Sequence, residues 1–311
     1  MIVVAIILGA IVCLNIIGFA VNKIFFSHEV EQISPYGRRV EVNGRSMHVY
    51  AMGSGAKTVV LLPGFGVALP CADFGPLMRA LAKECTVVCI EYYGMGFSDQ
   101  TDTPRTNENY TVEIRAALAA AGFAPPYVLM PHSASGVYSE YYAAKYPHEV
   151  SALIMIDTTS TAKIKAKNPP RLVYSIGKLQ QACGLTRLLP AAQKAANGYT
   201  GKEIADYKAF AGHVLNNTII DQSLRLIDNI NELDGIPFPQ DVPVIKLISA
   251  QTKKRIGEEY QAKHLARLGG QVETRTVNST HFIYQTHVAD ICDAVRELLE
   301  KAQRYGSDDA S

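Results

Sequence analysis

The sequence predicts an α/β fold in which a mostly parallel β-sheet carries helices on both of its faces. Short apolar, β-rich segments alternate with helical segments along the chain, which is typical of such a sheet. The first two β-rich segments are joined by Asn43-Gly44, a strong signal for an antiparallel hairpin at the start. No charged side chain precedes Lys23, which predicts a separate apolar helix at the N-terminus.

The N-terminal segment from Ile2 to Val21 is apolar apart from Asn15. About twenty helical residues span roughly 30 Å, the thickness of the hydrocarbon core of a bilayer. A cleaved signal peptide would favour a basic residue before the apolar stretch and small residues at a cleavage site after it, and a buried core helix would keep more polar positions. We therefore expect a single-pass membrane anchor over residues 1–26 and a polar linker over 27–37.

The side of the membrane is open at this point. Basic residues follow the apolar segment at Lys23, Arg38, Arg39 and Arg45, which slightly favours a cytoplasmic domain by the positive-inside rule. The six cysteines form no Cys-x-x-Cys or Cys/His motif, so we expect reduced, packed cysteines and no structural metal.

Composition excludes other classes of protein. Hydrophobic residues make up 48% of the 311 residues, which is too many for a disordered chain. Thirty basic residues against twenty-nine acidic ones give a net charge of +1, so no nucleic-acid partner is expected. No sequence motif indicates a cofactor.

The elements follow in a regular order. The apolar run Thr58–Leu62 has the continuous pattern of a strand buried on both faces. The predicted strands are Arg39–Val42, Met47–Met52, Thr58–Leu62, Thr86–Ile90, Tyr127–Met130, Ala152–Ile156, Val244–Ile248 and Val272–Val277. The predicted helices among them are Phe74–Lys83, Thr111–Ala121, Ser135–Tyr146, Glu258–Leu268 and Ala289–Gln303.

One long interval breaks the alternation. Residues 158–241 have helical tendency and several prolines, so we expect a helical cap inserted after the sixth strand, within a core of residues 38–157 and 242–303. Residues 304–311 are expected to be a disordered tail. Six apolar cap residues could line an acyl-group pocket or form the core of the cap. They are Leu172, Tyr174, Ile176, Leu179, Leu188 and Leu189.

A serine lies at the turn between the fifth strand and the following helix. The strand runs into Pro131-His132-Ser133-Ala134-Ser135-Gly136, and a hydroxyl on such a sharp turn is exposed near a helix N-terminus. Ser133 is therefore a candidate nucleophile, although serines at such positions also serve as ordinary helix caps. Ser135 is the rival, but its place inside the first helical turn predicts that it is buried.

Four segments at the ends of predicted strands form a recognisable set. They are Leu61-Leu62-Pro63-Gly64-Phe65-Gly66, Glu91-Tyr92-Tyr93-Gly94-Met95-Gly96-Phe97-Ser98-Asp99, His132-Ser133-Ala134-Ser135-Gly136 and Ser279-Thr280-His281-Phe282. Together they resemble the α/β-hydrolase superfamily over about residues 38–303. Two departures are present: Pro131 and Ser135 occupy the glycine positions of the usual Gly-x-Ser-x-Gly turn, and the loop after the third strand reads Pro63-Gly64 instead of His-Gly.

The resemblance implies an α/β-hydrolase fold and a set of site residues. It assigns the nucleophile to Ser133, the general base to His281 in the loop before the last helix, and the oxyanion-binding N–H groups to Phe65 and Ala134. The other histidines read as surface or packing residues, with His132 a structural hydrogen-bonding residue.

The acid of the triad is ambiguous. The loop after Val244–Ile248, where the family usually carries it, contains no carboxylate before Glu258, and Lys253-Lys254-Arg255 reads as a solvated loop. Some members place the acid one strand earlier, where Asp157 follows the sixth strand. We expect Asp157 to orient His281, with Glu258 or Glu259 as the alternatives.

These residues predict a serine hydrolase that cleaves an ester or related acyl bond of a small molecule. A serine nucleophile argues against epoxide hydrolase or dehalogenase chemistry, for which the resemblance implies an aspartate. Two alternatives stay open: an aminopeptidase resembling proline iminopeptidases, and a membrane-tethered binding protein without catalysis. The missing carboxylate and the replaced glycines motivate the second.

Overall fold

The computed structural model describes residues 2–189, 192–270 and 272–308, and its strands form a single eight-stranded sheet. The strands are β1 (Arg38–Val42), β2 (Arg45–Met52), β3 (Thr58–Leu62), β4 (Thr86–Glu91), β5 (Tyr127–Pro131), β6 (Val150–Ile156), β7 (Val244–Ser249) and β8 (Val272–Val277). Their order in the sheet is β1-β2-β4-β3-β5-β6-β7-β8.

The sheet is antiparallel only at its first edge. Strand β2 pairs antiparallel with β1 and with β4, and every later pair is parallel. The β1–β2 hairpin turns at Asn43 and Gly44, which both adopt positive φ (50° and 75°) as the predicted Asn-Gly turn requires. The carboxyl ends of the parallel strands consequently meet at one edge, where ligands bind in sheets of this kind.

Eleven helices are described. They are α1 (Ile2–Phe25), α2 (Pro70–Asp73), α3 (Gly75–Leu81), α4 (Asn107–Ala120), α5 (Ser135–Lys145), α6 (Arg171–Ala182), α7 (Gly201–Ala211), α8 (Asn217–Glu232), α9 (Ala250–Ile256), α10 (Glu258–Leu268) and α11 (Val288–Asp308).

Two apolar layers cover the two faces of the sheet. On β3, Val59 and Leu61 belong to the layer formed with α3 and α11, whereas Val60 and Leu62 belong to the layer formed with α4, α5 and α8. All four side chains are fully buried, and burial of one such side chain stabilises a fold by about 1.5–3 kcal/mol. The predicted sheet with helices on both faces is confirmed.

Two local details differ from the prediction. The helix expected over Phe74–Lys83 is α3 (Gly75–Leu81), and a separate short helix, α2 (Pro70–Asp73), precedes it and was not predicted. The segment Lys253-Lys254-Arg255, expected to be a loop, belongs to α9. That helix forms because Ser249 caps it: its hydroxyl accepts a hydrogen bond from the N–H of Thr252 at 3.0 Å.

The N-terminal helix α1 stands apart from the apolar layers. None of its most apolar stretch is buried by the rest of the protein, so α1 is not a core helix. By length and composition it could cross a membrane, and a signal sequence has the same character. The following segment contains a 3-10 turn at Glu29–Gln32, and Val30, Ile33 and Tyr36 pack against the core.

The cap and the C-terminus differ from expectation in detail. Helices α6, α7 and α8 lie between β6 and β7, inside the interval 158–241. Of the six apolar cap residues expected to be enclosed, only Tyr174 is buried; the other five are exposed, so that expectation was wrong. Helix α6 turns its Tyr174 side toward α8, where the Tyr174 hydroxyl donates to Ser223, and its apolar side outward. Helix α11 continues to Asp308, and of the tail expected at 304–311, residues 309–311 lie outside the described residues.

Candidate active site

Ser133 lies in the sharp turn between β5 and α5. Its φ of 54° is in the left-handed region, which is strained for a residue with a Cβ. The surrounding backbone holds it there: its N–H donates to the carbonyl of Ile156 at 3.2 Å, and its carbonyl accepts from the N–H of Thr159 at 2.9 Å. A Cβ at Gly136 would lie 2.5 Å from Cβ of Thr158. The first turn of α5 therefore needs a glycine at this position to approach the segment that follows β6.

Ser135, the rival serine, is fully buried in the first turn of α5. Its Oγ donates to the carbonyl of Pro63 and lies 2.9 Å from the hydroxyl of Tyr92. This side chain therefore ties the turn to the loop after β3, at a position where the family usually has glycine. Sequence reasoning missed this contact, for which a polar residue in place of a glycine is the signal.

His281 follows β8 and its imidazole joins two of the predicted residues. Its Nε2 lies 2.9 Å from Oγ of Ser133, and its Nδ1 lies 2.7 Å from Oδ2 of Asp157. The backbone N–H of His281 donates to Oε1 of Gln251 at 2.9 Å, which fixes the start of the loop. Because a carboxylate only accepts, Nδ1 carries the proton and Nε2 is free to accept one from the serine.

Asp157 directly follows β6 with a φ of 45°, and its carboxylate contacts the imidazole of His281. Besides His281, it accepts hydrogen bonds from the N–H of Ser249 at 2.8 Å, the hydroxyl of Ser249 at 2.8 Å and the hydroxyl of Thr252 at 2.6 Å. Burial raises the pKa of Asp157, but the hydrogen bonds from His281, Thr252 and Ser249 outweigh it and leave the pKa below its ordinary value. The carboxylate is therefore ionised at neutral pH.

The alternative acids lie elsewhere. Glu258 and Glu259 begin α10, and the carboxylate of Glu259 pairs with Lys263 at 2.9 Å in solvent. Within the described part of the chain neither makes a hydrogen bond to His281. The junction of β7 and α9, where a carboxylate was sought, instead supplies Ser249 and Thr252 as donors to Asp157. Sequence reasoning missed both, although hydroxyl residues at a strand end are a readable signal.

His132 is buried beside the site. Its Nε2 lies 3.2 Å from the carbonyl of His281, and a carbonyl can only accept, so this nitrogen carries the proton. Burial, together with neighbouring His281, lowers the pKa of His132 to about 3, so it is neutral at physiological pH. A neutral His132 holds the backbone of His281 without adding charge to the site.

Two backbone N–H groups in the segments next to Ser133 are candidates for binding an oxyanion. Neither the N–H of Phe65 nor that of Ala134 donates a hydrogen bond within the residues described. The loop that carries Phe65 comes close to the turn because residue 64 is glycine: a Cβ at Gly64 would lie 2.9 Å from Cβ of Ser133. N–H groups without a partner, next to a reactive hydroxyl, can stabilise a negative charge that develops on a bound substrate.

A second cluster has the composition of a metal site. Ligand atoms of His48, Cys71 and Glu91 lie within 4.8 Å of one another and are buried. The Glu91 carboxylate already accepts from the N–H of Cys71 and of Phe97, and Nδ1 of His48 lies 3.0 Å from it. Burial also raises the pKa of the Cys71 thiol, which disfavours the thiolate that a metal needs. The contacts of Glu91 and the protonated thiol of Cys71 therefore indicate that the cluster stabilises the fold and does not bind a metal.

A buried charged cluster lies behind Asp157. Glu140 of α5 accepts hydrogen bonds from the hydroxyl of Thr161 at 2.6 Å, from His264 at 2.7 Å and from Arg267 at 3.2 Å. On its other nitrogen, His264 contacts Nζ of Lys246 at 2.7 Å. Burial lowers the pKa of Lys246 to about 8. His264 was expected to be a surface or packing residue, and its role as the link between two buried charges was missed.

Comparisons with known proteins agree with this architecture. The family described as "alpha/beta hydrolase fold" matches residues 57–202. The uncharacterised protein YbdG of Bacillus subtilis (strain 168) is 27% identical over 301 residues, which is 92% of this chain and 90% of YbdG. The 2-(acetamidomethylene)succinate hydrolase of Mesorhizobium japonicum is 30% identical over 131 residues, covering 42% of this chain and 45% of that enzyme.

A solved structure supports the same fold. Epoxide hydrolase VrEH1 of Vigna radiata superposes with a TM-score of 0.63 at 18% identity, over 85% of this chain and 97% of that enzyme. At this identity the likeness concerns the fold alone. The resemblance found in the sequence motifs is confirmed: residues 57–202 match the α/β-hydrolase family, and the chain has the α/β-hydrolase fold.

Proposed function

We propose that the protein is a serine hydrolase that cleaves an ester or related acyl bond of a small molecule through an acyl-enzyme on Ser133. The observation that carries the proposal is the continuous hydrogen-bonded series from Oγ of Ser133 through His281 to Asp157. Nucleophile, base and orienting acid in this order are the requirements for activating a serine hydroxyl.

The reaction follows from the protonation states. Nε2 of His281 takes the proton as Oγ of Ser133 attacks the substrate carbonyl carbon, and the ionised Asp157 stabilises the imidazolium. The N–H groups of Phe65 and Ala134 donate to the oxyanion of the tetrahedral intermediate. His281 then protonates the leaving group, and a water deprotonated by His281 releases the acid and regenerates the serine.

The identity of residue 133 separates this proposal from the chemistry named for VrEH1. Epoxide opening in this superfamily uses an aspartate nucleophile, whereas position 133 is serine. The relative from Mesorhizobium japonicum is named a hydrolase of 2-(acetamidomethylene)succinate, and its name supports hydrolysis without indicating the substrate of this chain. No observation specifically favours an aminopeptidase.

A fluorophosphonate probe tests the proposal. The wild type should be labelled, Ser133→Ala should lose labelling, and Ser135→Ala should retain it because Ser135 is buried and bonded to Pro63 and Tyr92. In-gel detection and mass spectrometry of the labelled peptide measure this. An unlabelled but folded wild type would instead support a non-catalytic binding protein.

A second expected result concerns the oxyanion donors. Gly64→Ala should lower kcat/KM by about 10²–10³-fold, the usual cost of losing one such donor, because the new methyl would displace the loop that carries Phe65. Gly201→Ala is the matched control, since no atom lies within 4 Å of a Cβ there. Hydrolysis of a p-nitrophenyl ester measures it, with thermal unfolding of both variants. Normal turnover in Gly64→Ala would exclude this role for the loop.

We also propose that α1 holds the enzyme at a membrane as a single span. Its 24 residues rise about 36 Å as a helix, enough for the hydrocarbon core. The side-chain amide of Asn15 donates a hydrogen bond to the carbonyl of Ile11 at 2.8 Å. Such a bond within the helix is what a polar side chain surrounded by lipid requires. The basic residues after the helix favour a cytoplasmic domain.

A further inference from the structure

The exposed apolar side chains of the described residues are concentrated in two places. One is α1, and the other is a group of cap residues that we call the cap apolar face. Outside α1, every large apolar side chain described as more than half exposed belongs to this face. Its members are Leu172, Val173, Ile176, Leu179, Leu188 and Leu189. Such a concentration marks an interaction surface rather than scattered surface residues.

The face is a helical stripe. Residues 172, 173, 176 and 179 of α6 recur at the spacing that puts side chains on one side of a helix. The opposite side of α6 faces the protein through Tyr174, which is buried. The helix is therefore amphipathic with its apolar side outward, the arrangement of a helix that lies at a membrane surface.

Helix α1 is attached to this surface by specific contacts. The side-chain amide of Asn22 donates to the carbonyls of Gln181 and Ala182, at the C-terminal end of α6, at 3.3 and 3.1 Å. Nε of Arg187 donates to Oδ1 of Asn22 at 2.7 Å, and Arg187 also pairs with Glu29 at 2.5 Å. The cap is thus fixed to the end of the proposed membrane span.

The position along α1 at which the cap contacts it determines how deep the cap lies in the bilayer. A Cβ on Gly18 would lie 2.5 Å from the carbonyl oxygen of Cys183, so the two backbones touch there. Gly18 precedes Lys23, the first charged residue, by about 7 Å of helix rise. With Lys23 among the headgroups, Cys183 lies at the depth of about 5–10 Å that interfacial apolar faces reach.

The charge of the segment fits an anionic surface. Between Asp157 and Glu203 the chain carries eight lysines and arginines and no acidic residue, although the whole chain has a net charge of only +1. Two of these side chains, Lys178 and Arg187, lie in or beside the junction between α6 and α1. Basic residues beside an apolar stripe bind anionic phospholipid headgroups.

We propose that the cap apolar face lies in the surface of the membrane that α1 crosses, so that the cap is a second, interfacial membrane contact of the enzyme. The inference rests on the proposed span of α1. The occupant of the face is phospholipid, because the face is joined to α1, reaches acyl-chain depth and belongs to a chain segment that carries basic and no acidic residues.

Tryptophan fluorescence can test this because the sequence contains no tryptophan. The full chain carrying Leu172→Trp or Leu179→Trp is reconstituted in vesicles of phosphatidylcholine and phosphatidylglycerol, with or without bromine on the acyl chains. Burial of the face at acyl depth should give at least about a twofold loss of emission in the brominated vesicles for both variants. Both positions are exposed, so the substitutions should not disturb packing.

Two controls separate the possible failures. Ile7→Trp reports on the span itself and should be quenched, whereas Lys57→Trp, exposed before β3 at the amino ends of the parallel strands, should not. Quenching of Ile7→Trp without quenching of the cap variants overturns the inference and leaves the span intact. Blue-shifted but unquenched cap variants also overturn it, since a protein surface would then cover the face.

Discussion

Replacing Asp157 with asparagine should lower kcat by about 10⁴-fold, the effect of the same change in a serine-histidine-aspartate triad. The reason lies in the donors around the carboxylate. Oδ1 accepts from the N–H of Ser249, while Oδ2 faces His281, Thr252 and the Ser249 hydroxyl. An asparagine that keeps its oxygen on Ser249 presents its NH₂ group to Nδ1 of His281.

That NH₂ group would reverse the tautomer of the histidine. Nδ1 of His281 would then accept a hydrogen bond, and Nε2 would carry the proton. A protonated Nε2 cannot take the proton of the Ser133 hydroxyl, so the base would be lost. The loss should therefore fall on kcat with little change in KM, because Asp157 does not face the substrate. Steady-state hydrolysis of a p-nitrophenyl ester, with the rate of fluorophosphonate labelling, measures both.

The alternative acids provide matched controls. Glu258→Gln and Glu259→Gln remove the same charge from exposed positions of α10 and should leave kcat within about twofold of wild type, as expected for surface substitutions that contact neither base nor substrate. Thr252→Val removes one donor to Asp157 but keeps the bond to His281, so its effect should be intermediate. Near-normal turnover in Asp157→Asn would remove this residue from the proposed mechanism.

Much of the fold could be read from local patterns. The strand Thr58–Leu62 was predicted to the residue, because a continuous apolar run bounded by turn residues has few other solutions. The positions of Ser133, Asp157 and His281 after strands of one parallel sheet predicted that they would meet, and the structure brings their side chains within hydrogen-bond distance. Their catalytic roles stay a prediction until the variants are measured.

What the sequence could not predict depends on orientation between elements. The spacing of Leu172, Ile176 and Leu179 indicates an amphipathic helix, but the same spacing serves a stripe that faces inward or outward. Only the packing of Tyr174 against the cap determines which side is exposed. Likewise, the contact between Ser135 and Tyr92 joins residues 43 positions apart, and no local pattern encodes such a pair.

The buried cluster behind the site should control stability. We expect Glu140→Gln to lower the free energy of unfolding by about 3–5 kcal/mol, because it removes the buried carboxylate that Arg267 contacts and that, with Asp157, favours the charged form of Lys246. Urea unfolding followed by circular dichroism measures this. Glu259→Gln is the matched control: it breaks a solvent-exposed pair with Lys263 at i,i+4 and should leave the free energy of unfolding nearly unchanged.

The dependence of this effect on pH distinguishes charge from packing. Burial raises the pKa of Glu140, but His264, Thr161 and Arg267 outweigh it, so the folded-state pKa lies below the ordinary value of 4.5. A carboxyl of depressed pKa stabilises the fold fully above its unfolded pKa and loses that contribution as the pH falls through the folded pKa. The stability gap between wild type and Glu140→Gln should therefore shrink as the pH falls below about 5. A gap that does not change with acidification would contradict this: because a glutamine fills nearly the same volume, the loss would then come from the altered hydrogen bonds of the amide and not from the missing charge.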